Sequence, residues 1–377
     1  MAGEAYDNYV LIIWISESCE DLSTCDLVDQ SGIINSVMNM KVFIALASGE
    51  KIEYERVPNM DGTCVNRPEL YSGMIPVYYD TGEWKIADKT NSMNSRKWYN
   101  YGESRWANAV VVNTDKYNES KEGSVIESQD ILGYYVWIPR FKYKLWNDGN
   151  TITDSYDAYK KGIDIVFESG VNSSGTVKCF DGKCAAKADS YLTHPAFLEN
   201  SRGFWISKYE ISEGNKFVPN VESLRNQSLD SYKDIMNNLS TYYGIQDNVD
   251  SHVVTNLEWG ATLYLSHSKY GVCVDNKCAN ISINDTYVSE KDKGDTTTCD
   301  VYGVYDMSGG TPEYVVGSSE IGSATNEVRI NEFETWYGGS YSENSEYAVR
   351  GGIERGMFST SGIGMFDVST RSVLVSK

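Results

Sequence analysis

Cysteine pairs, three histidines and two carboxylates beside a glycine turn are the residues in this 377-residue chain whose types could do chemistry. Cys179-Phe-Asp-Gly-Lys-Cys184 and Cys273-Val-Asp-Asn-Lys-Cys278 share one shape, two thiols flanking a turn-forming Asp-Gly or Asp-Asn. Closing each hairpin would bring its thiols face to face, which reads as a disulfide. Four thiolates around one zinc is the rival chemistry, but knuckle sites use C-x2-C spacing and no histidine sits near either pair. Cys19 and Cys25 form a looser third pair, which leaves Cys64 and Cys299 for a long-range fourth. His194, His252 and His267 belong to no triad-like motif and read as packed or surface residues rather than ligands. Asp306 and Glu313 lie within GVYDMSGGTPEYV, Gly303 to Val315, an apolar run that reverses through Ser308-Gly309-Gly310. Paired glycines there supply a positive φ or a close backbone approach, so the stretch reads as a tight buried turn.

No other catalytic set emerges. The chain has no nucleophile elbow, no phosphate-cradling glycine loop followed by Lys-Ser/Thr, and no HExxH. With 53 acidic residues, chance carboxylate pairs are certain, so a paired-acid glycosidase is a minority reading. Against those 53 stand 33 basic residues, a formal charge of −20 that repels a phosphate backbone, so nucleic acid is not expected as a partner. No window approaches the ~18–20 apolar residues of a membrane span, and no secretory signal follows Met1. The cysteines nevertheless favour an oxidising, extracellular setting, reached by another route or after loss of an export segment.

The elements that must position these residues are mostly strands. Val10 to Trp14, Met40 to Leu46 and the alternating Glu50 to Arg56 suggest a small β-rich attachment or oligomerisation region over residues 1–65. Residues 66–130 read as a connecting region with a hairpin: Met74 to Tyr79, an Asp80-Thr-Gly82 turn, then Glu83 to Ile86. Trp98, Tyr99, Tyr101 and Trp106 crowd the next piece as core. Tyr134 to Leu145 is a long strand whose Pro139 implies an edge or a bulge, and Gly203 to Ile211 a strand buried on one side. Two amphipathic helices follow. One runs from Ser228 to Tyr243 before Gly244, the other from an N-cap at Thr255-Asn256, with Glu258 in its first turn, to Tyr270. Glycines set among aromatics from Trp336 onward, then a strand from Thr370 to Val375, close a loop-rich module.

The ordered set YVWIPRFKYKL, GFWISKYEIS, TNLEWGATLYL, GVYDMSGGTPEYV, VRGG and RSVLV resembles the formylglycine-generating enzyme or sulfatase-modifying-factor family, a variant of the C-type lectin fold. YLTHPAF, EWGATLYLSHSKYG and VYGVYDMSGG resemble a non-catalytic branch of bacterial surface, pilin-like and phage tail-associated proteins. The resemblance covers about residues 131–377 and implies an α+β, C-type-lectin-like domain: a twisted antiparallel sheet, two helices and long loops. The family's enzymes bind copper through a late cysteine pair, whereas no thiol follows Cys299 here; the related iron enzymes need a histidine triad that this chain lacks. The chain is therefore read as non-enzymatic and without a cofactor. Many members hold calcium at the turn through an Asn and a Glu. Gly310 replaces that Asn, while Asp306 and Glu313 remain as oxygen donors for calcium. Arg350 is read as a structural ion pair or backbone clamp.

The fold commonly presents ligands on its late loops, here Trp336, Tyr337, Tyr341, Asn344, Tyr347, Glu354, Phe358 and Phe366, a palette of rigid aromatic area and adaptable hydrogen bonding. The expectation is an extracellular recognition or structural protein, a phage virion or tail-associated receptor-binding protein, that contacts a cell-surface glycan or protein and assembles as an oligomer with other virion subunits. A bacterial pilus or surface-filament subunit is the alternative, and an oxygen-using modifying enzyme a third.

Overall fold

The computed structural model describes residues 63, 65–90, 97–144, 163–168, 170–171, 191–194, 196–197, 201–245, 248–274, 284, 286–289, 293–307, 309–311, 313–316 and 367–377. It also gives the backbone of short strands at 42–45, 51–54, 178–180, 183–185, 277–278, 334–336 and 358–359. Val10 to Trp14 lies outside the described residues.

β1 (Val42–Ala45) and β2 (Lys51–Tyr54) pair antiparallel within the expected N-terminal region. β3 (Met74–Asp80) and β4 (Glu83–Ile86) form the predicted hairpin, its turn made by Thr81 at φ 52° and Gly82 at φ 91°. β5 (Asn108–Val112) pairs with β3, and β6 (Ile131–Pro139) pairs with β5 through a bulge at Val111/Val112. β3, β4 and β5 come from the stretch expected to be a separate connecting region, yet they hydrogen-bond into the same sheet as β6. The division at 131 therefore falls inside a sheet, because the apolar faces of Ala109 and Val111 are buried against the later strands' core.

The predicted long strand from Tyr134 breaks at Arg140. β7 (Phe141–Lys144) turns away to join β8 (Asp164–Phe167) and β11 (Leu192–Thr193), and the short pair β9 (Lys178–Phe180) and β10 (Lys183–Ala185) lies between them in sequence. Pro139 does not mark an edge: β6 is central, and proline is tolerated as its last residue, opposite Gly203, where the strand ends. β12 (Gly203–Ser207), flanked in the sheet by β6 and the C-terminal strand, is buried on both faces rather than one, all five of its residues being shielded from water.

Among the described residues three α-helices follow rather than two. α1 (Leu229–Asn237) and α2 (Leu239–Tyr242) replace the single expected helix. Asn238 interrupts it by turning its amide back to the Asp234 carbonyl at 2.7 Å. β13 (Val249–Val253) leads to α3 (Asn256–Ser266), which starts at the expected place with a complete capping box between Thr255 and Glu258. β14 (Cys273–Val274) and β15 (Lys277–Cys278) form a small hairpin. β16 (Glu313–Val316), β17 (Glu334–Trp336), β18 (Phe358–Ser359) and β19 (Ser369–Thr370) make a second sheet in the order β18-β17-β16-β19. β20 (Ser372–Ser376) returns to the main sheet, whose order is β13-β20-β12-β6-β5-β3-β4, every neighbouring pair antiparallel. The architecture is thus α+β and mostly antiparallel sheet. No helix among the described residues is long and apolar enough to cross a membrane.

Trp106, Trp137, Trp205 and Trp259 are fully buried, and Trp98, Tyr99 and Tyr101 join them in the core as expected. Trp205 stands 5.3 Å, centroid to centroid, from Trp137 and 6.2 Å from Trp98. Gly203 makes this packing possible. A Cβ there would lie 2.5 Å from the Ile138 carbonyl oxygen and 2.5 Å from the Trp137 ring. Gly203→Ala must therefore force the two strands apart and lose about 1–3 kcal/mol; chemical denaturation should show that loss, and an unchanged midpoint would contradict the packing described.

Candidate functional site

Of the eight residues expected to contact a ligand, Tyr337, Tyr341, Asn344, Tyr347, Glu354 and Phe366 lie outside the described residues. Trp336 and Phe358 are brought together as register partners across β17 and β18, in the same cross-strand row as Tyr314. Cys19, Cys25 and Cys64 are likewise outside the described residues. Cys179 stands opposite Cys184, and Cys273 opposite Cys278, in their hairpins; Cys273 is disulfide-bonded. Cys299 carries a free thiol, so the fourth pair with Cys64 is not formed.

The structure instead gathers charged side chains beneath the Gly303–Val315 turn. Val304, Tyr305 and Met307 are buried, and Gly309 and Gly310 both take positive φ, 105° and 65°. Gly310 is required for a second reason. A Cβ on it would lie 2.7 Å from Glu210 Oε1 and 2.9 Å from Asp306 Cβ, so the Glu210 and Asp306 side chains close over the space a side chain would need. Glu210, three residues beyond β12, accepts from the Thr311 backbone N–H at 2.9 Å, from the Thr311 hydroxyl at 2.5 Å and from the Ser223 hydroxyl. Asp306 accepts from the Asn284 amide at 2.9 Å.

Beside Glu210 lies an ion pair with no exposure to water. Arg371, between β19 and β20, pairs through Nε with Glu313 Oε1, and Trp259 on α3 donates its indole N–H to Glu313 Oε2 at 2.6 Å. The same guanidinium donates to the carbonyls of Lys208, at 3.2 Å, and Tyr305. Burial pushes the Glu313 carboxyl above its ordinary value and Asp306 adds to this, while Arg371 and Trp259 pull it back. Burial, with Glu313 beside it, pushes Glu210 up to about 7 against the pull of Arg371, Ser223 and Thr311.

Calcium does not fit this arrangement. Both oxygens of Glu313 are already engaged, one by a guanidinium cation that would repel a second cation, and Asp306 is bonded to Asn284. Two further buried cations work in the same structural way. Lys208 donates Nζ to Asn108 Oδ1 at 2.8 Å and to the carbonyls of Val301 and Gly303 at 2.6 and 2.8 Å, tethering the approach to the turn. Arg140 pairs with Glu168 at 2.9 Å and donates to the Ser201 carbonyl at 3.0 Å, fixing the point where the chain leaves the main sheet.

His194 and His267 are buried, and burial pushes both imidazoles below their ordinary value, as expected of packed residues. His252 differs: it is clamped between two carboxylates, Nδ1 to Asp250 at 2.6 Å and Nε2 to Glu258 at 3.1 Å. Burial opposes its charge, but Glu258 and Asp250 overcome this and raise it to about 10. The clamp joins β13 to the first turn of α3. The signal was present in sequence only as Asp-x-His followed six residues later by the capping Glu258.

No protein-family profile matches the chain, and none of the curated proteins matches it. Among solved structures it is similar to Treponema denticola variable protein 1, at 14% identity and a TM-score of 0.35 over 54% of this chain and 93% of that one. PvdO from Pseudomonas aeruginosa is similar at 12% identity and a TM-score of 0.36, over 65% and 95% of the two chains. The Major Tropism Determinant P3c variant is similar at 11% identity and a TM-score of 0.29, over 89% and 92%. At these scores the likeness is partial, and nothing about the site is drawn from it.

Two pH dependences follow, one from buried Glu210 and one from half-buried His252. Glu210 has its carboxyl raised above its ordinary value of 4.5, so the stability it contributes is complete below that value and is lost as pH rises through about 7. The difference in unfolding free energy between wild type and Glu210→Gln should shift across that window by on the order of 3 kcal/mol; a constant difference would contradict the assignment. His252 has the opposite chemistry. Its raised value gives stability that is complete below 6.5 and lost as pH rises through about 10. His252→Gln should cost about 2–3 kcal/mol at pH 7, with the deficit shrinking as pH rises from 7 towards 10 in thermal unfolding.

Proposed function

We propose that this chain is a non-enzymatic recognition protein displayed outside the cell, a virion or tail-associated receptor-binding protein built on a C-type-lectin-like domain. The observation that carries the reading is how the buried charges are used. Arg371, Glu313, Lys208, Arg140 and Glu168 each bind partners that tie distant chain segments together. Polar groups spent in this way support a scaffold, and the sequence resemblance to the non-catalytic branch of the formylglycine-generating-enzyme family points the same way. In this reading the loops carrying Trp336, Tyr337, Tyr341, Asn344, Tyr347, Glu354, Phe358 and Phe366 make the contact with a cell-surface glycan or protein. The cysteine hairpins, with Cys179 joined to Cys184 and Cys273 to Cys278, brace the domain in an oxidising medium.

The test is the double variant Tyr337→Ala/Tyr341→Ala, displayed on particles that carry the chain. Its melting temperature should match wild type while adsorption to host cells falls at least tenfold. Undiminished adsorption by a folded variant would refute the assignment of these loops.

A further inference from the structure

A groove of about 850 Å³ opens among the loops that follow β12, within the range of sites that take small ligands. It is lined by Ser212, Glu213 and Lys216 from one turn and by Val221, Glu222 and Asn226 from the next, with Val218, Ser223, Leu224 and Arg225 completing it. Val221 and Tyr242 are the large hydrophobic side chains exposed among the described residues, 37% and 54%. Both belong to this region: Val221 lines the groove, and Tyr242 donates its hydroxyl to the Gly214 carbonyl, on the turn that forms one wall.

The walls are held in place. Asn215, Asn220 and Asn226 sit in the left-handed region at φ 57°, 60° and 60°. Backbone bonds from the Ser223 N–H to the Tyr287 carbonyl at 2.9 Å and from the Leu224 N–H to the Ile211 carbonyl at 2.7 Å pin the second loop. Ser223 is buried, and its hydroxyl donates to Glu210 of the charged centre, so the groove is anchored directly to the core. A groove whose walls are fixed in backbone before binding loses less entropy when a ligand arrives.

The lining chooses the ligand class. Charges of both signs alternate along it, and Arg225 pairs with Glu222 at 3.5 Å while lying 4.1 Å over the Tyr287 ring, so no net field favours an ion. The chain's formal −20 further disfavours polyanions. What remains is acceptor-rich edges, Glu213, Glu222 and the Asn226 amide, beside aliphatic surface from Val218, Val221 and Leu224. Hydroxyls satisfy the first and C–H faces pack on the second. The geometry points to an uncharged, hydroxyl-rich oligosaccharide as the occupant of this groove, a recognition site separate in its residues from the C-terminal set. The inference goes beyond the proposed function and does not rest on it.

The full chain is tested on an array of immobilised neutral oligosaccharides of glucose, galactose, mannose and N-acetylglucosamine, beside sialylated and sulfated glycans and a set of hexapeptides, and the strongest neutral binder is then titrated in solution. Val221→Trp fills the groove, and Asn226→Gly removes the amide while keeping the left-handed backbone. Each should weaken neutral-glycan binding at least tenfold with an unchanged melting temperature, and Tyr337→Ala/Tyr341→Ala should leave it unchanged. Retention of no neutral glycan, equal affinity in both folded groove variants, or preference for anionic glycans or peptides would overturn the assignment. Loss of host adsorption in the Tyr337/Tyr341 variant alone bears only on the C-terminal reading.

Discussion

The guanidinium of Arg371 is the group on which the rest of this structure depends. It is wholly buried, and burying a cation costs several kcal/mol unless its donors are met. Its charge is met by Glu313 from β16, and its terminal nitrogens donate to the Lys208 carbonyl after β12 and to the Tyr305 carbonyl in the turn. One side chain thus locks the second sheet, at its inner strand β16, to the main sheet and holds the Gly303–Val315 turn against both. Trp259 brings α3 to the same carboxylate. Backbone carbonyls in irregular loops have no ladder to pair with, and a rigid fork of donors is what satisfies them away from water.

The neighbouring groups follow from that choice. A second carboxylate, Glu210, lies beside the pair with three donors aimed at it, and the absence of a side chain at Gly310 gives it room. Glu210 in turn holds Ser223, and through Ser223 the loop that walls the groove. Core electrostatics and surface shape are therefore linked: Glu210 feels the charges of Arg371 and Glu313 beside it and holds the rim through its hydrogen bond from Ser223. Lys208 and Arg140 repeat the device elsewhere, each a buried cation holding loop carbonyls. A loop-rich protein gains order in this way where regular secondary structure is sparse.

The parts of the fold that depend on near neighbours were legible in the sequence. The β3–β4 turn, the capping box of Thr255 and Glu258, the central strands and the buried Gly309-Gly310 reversal all follow from spacing within a dozen residues. What failed to show was set by residues far apart. In sequence Arg371 is part of a terminal strand and Arg350, before its Gly-Gly, the more prominent basic residue, because a separation of 58 positions hides the pairing of Glu313 with Arg371. Glu210 and Thr311, 101 residues apart, are equally silent in sequence. The break at Arg140 was masked by apolar residues on both sides, since alternation continues even though the chain changes sheets. Asn238 ended a helix from within because its side chain competes for a backbone carbonyl, which periodicity does not register. The groove had no sequence signal at all; its walls are two irregular loops whose shape comes from what lies beneath them.

A double-mutant cycle on Arg371→Met and Glu313→Gln, measured by chemical denaturation at pH 8, tests this account most directly. Each single substitution strands a buried partner and should cost about 3–5 kcal/mol, while the double variant should recover part of the loss, giving a coupling energy of about 2–3 kcal/mol. Additive losses, or a stable protein lacking Arg371 alone, would contradict the claim that this buried pair organises the fold.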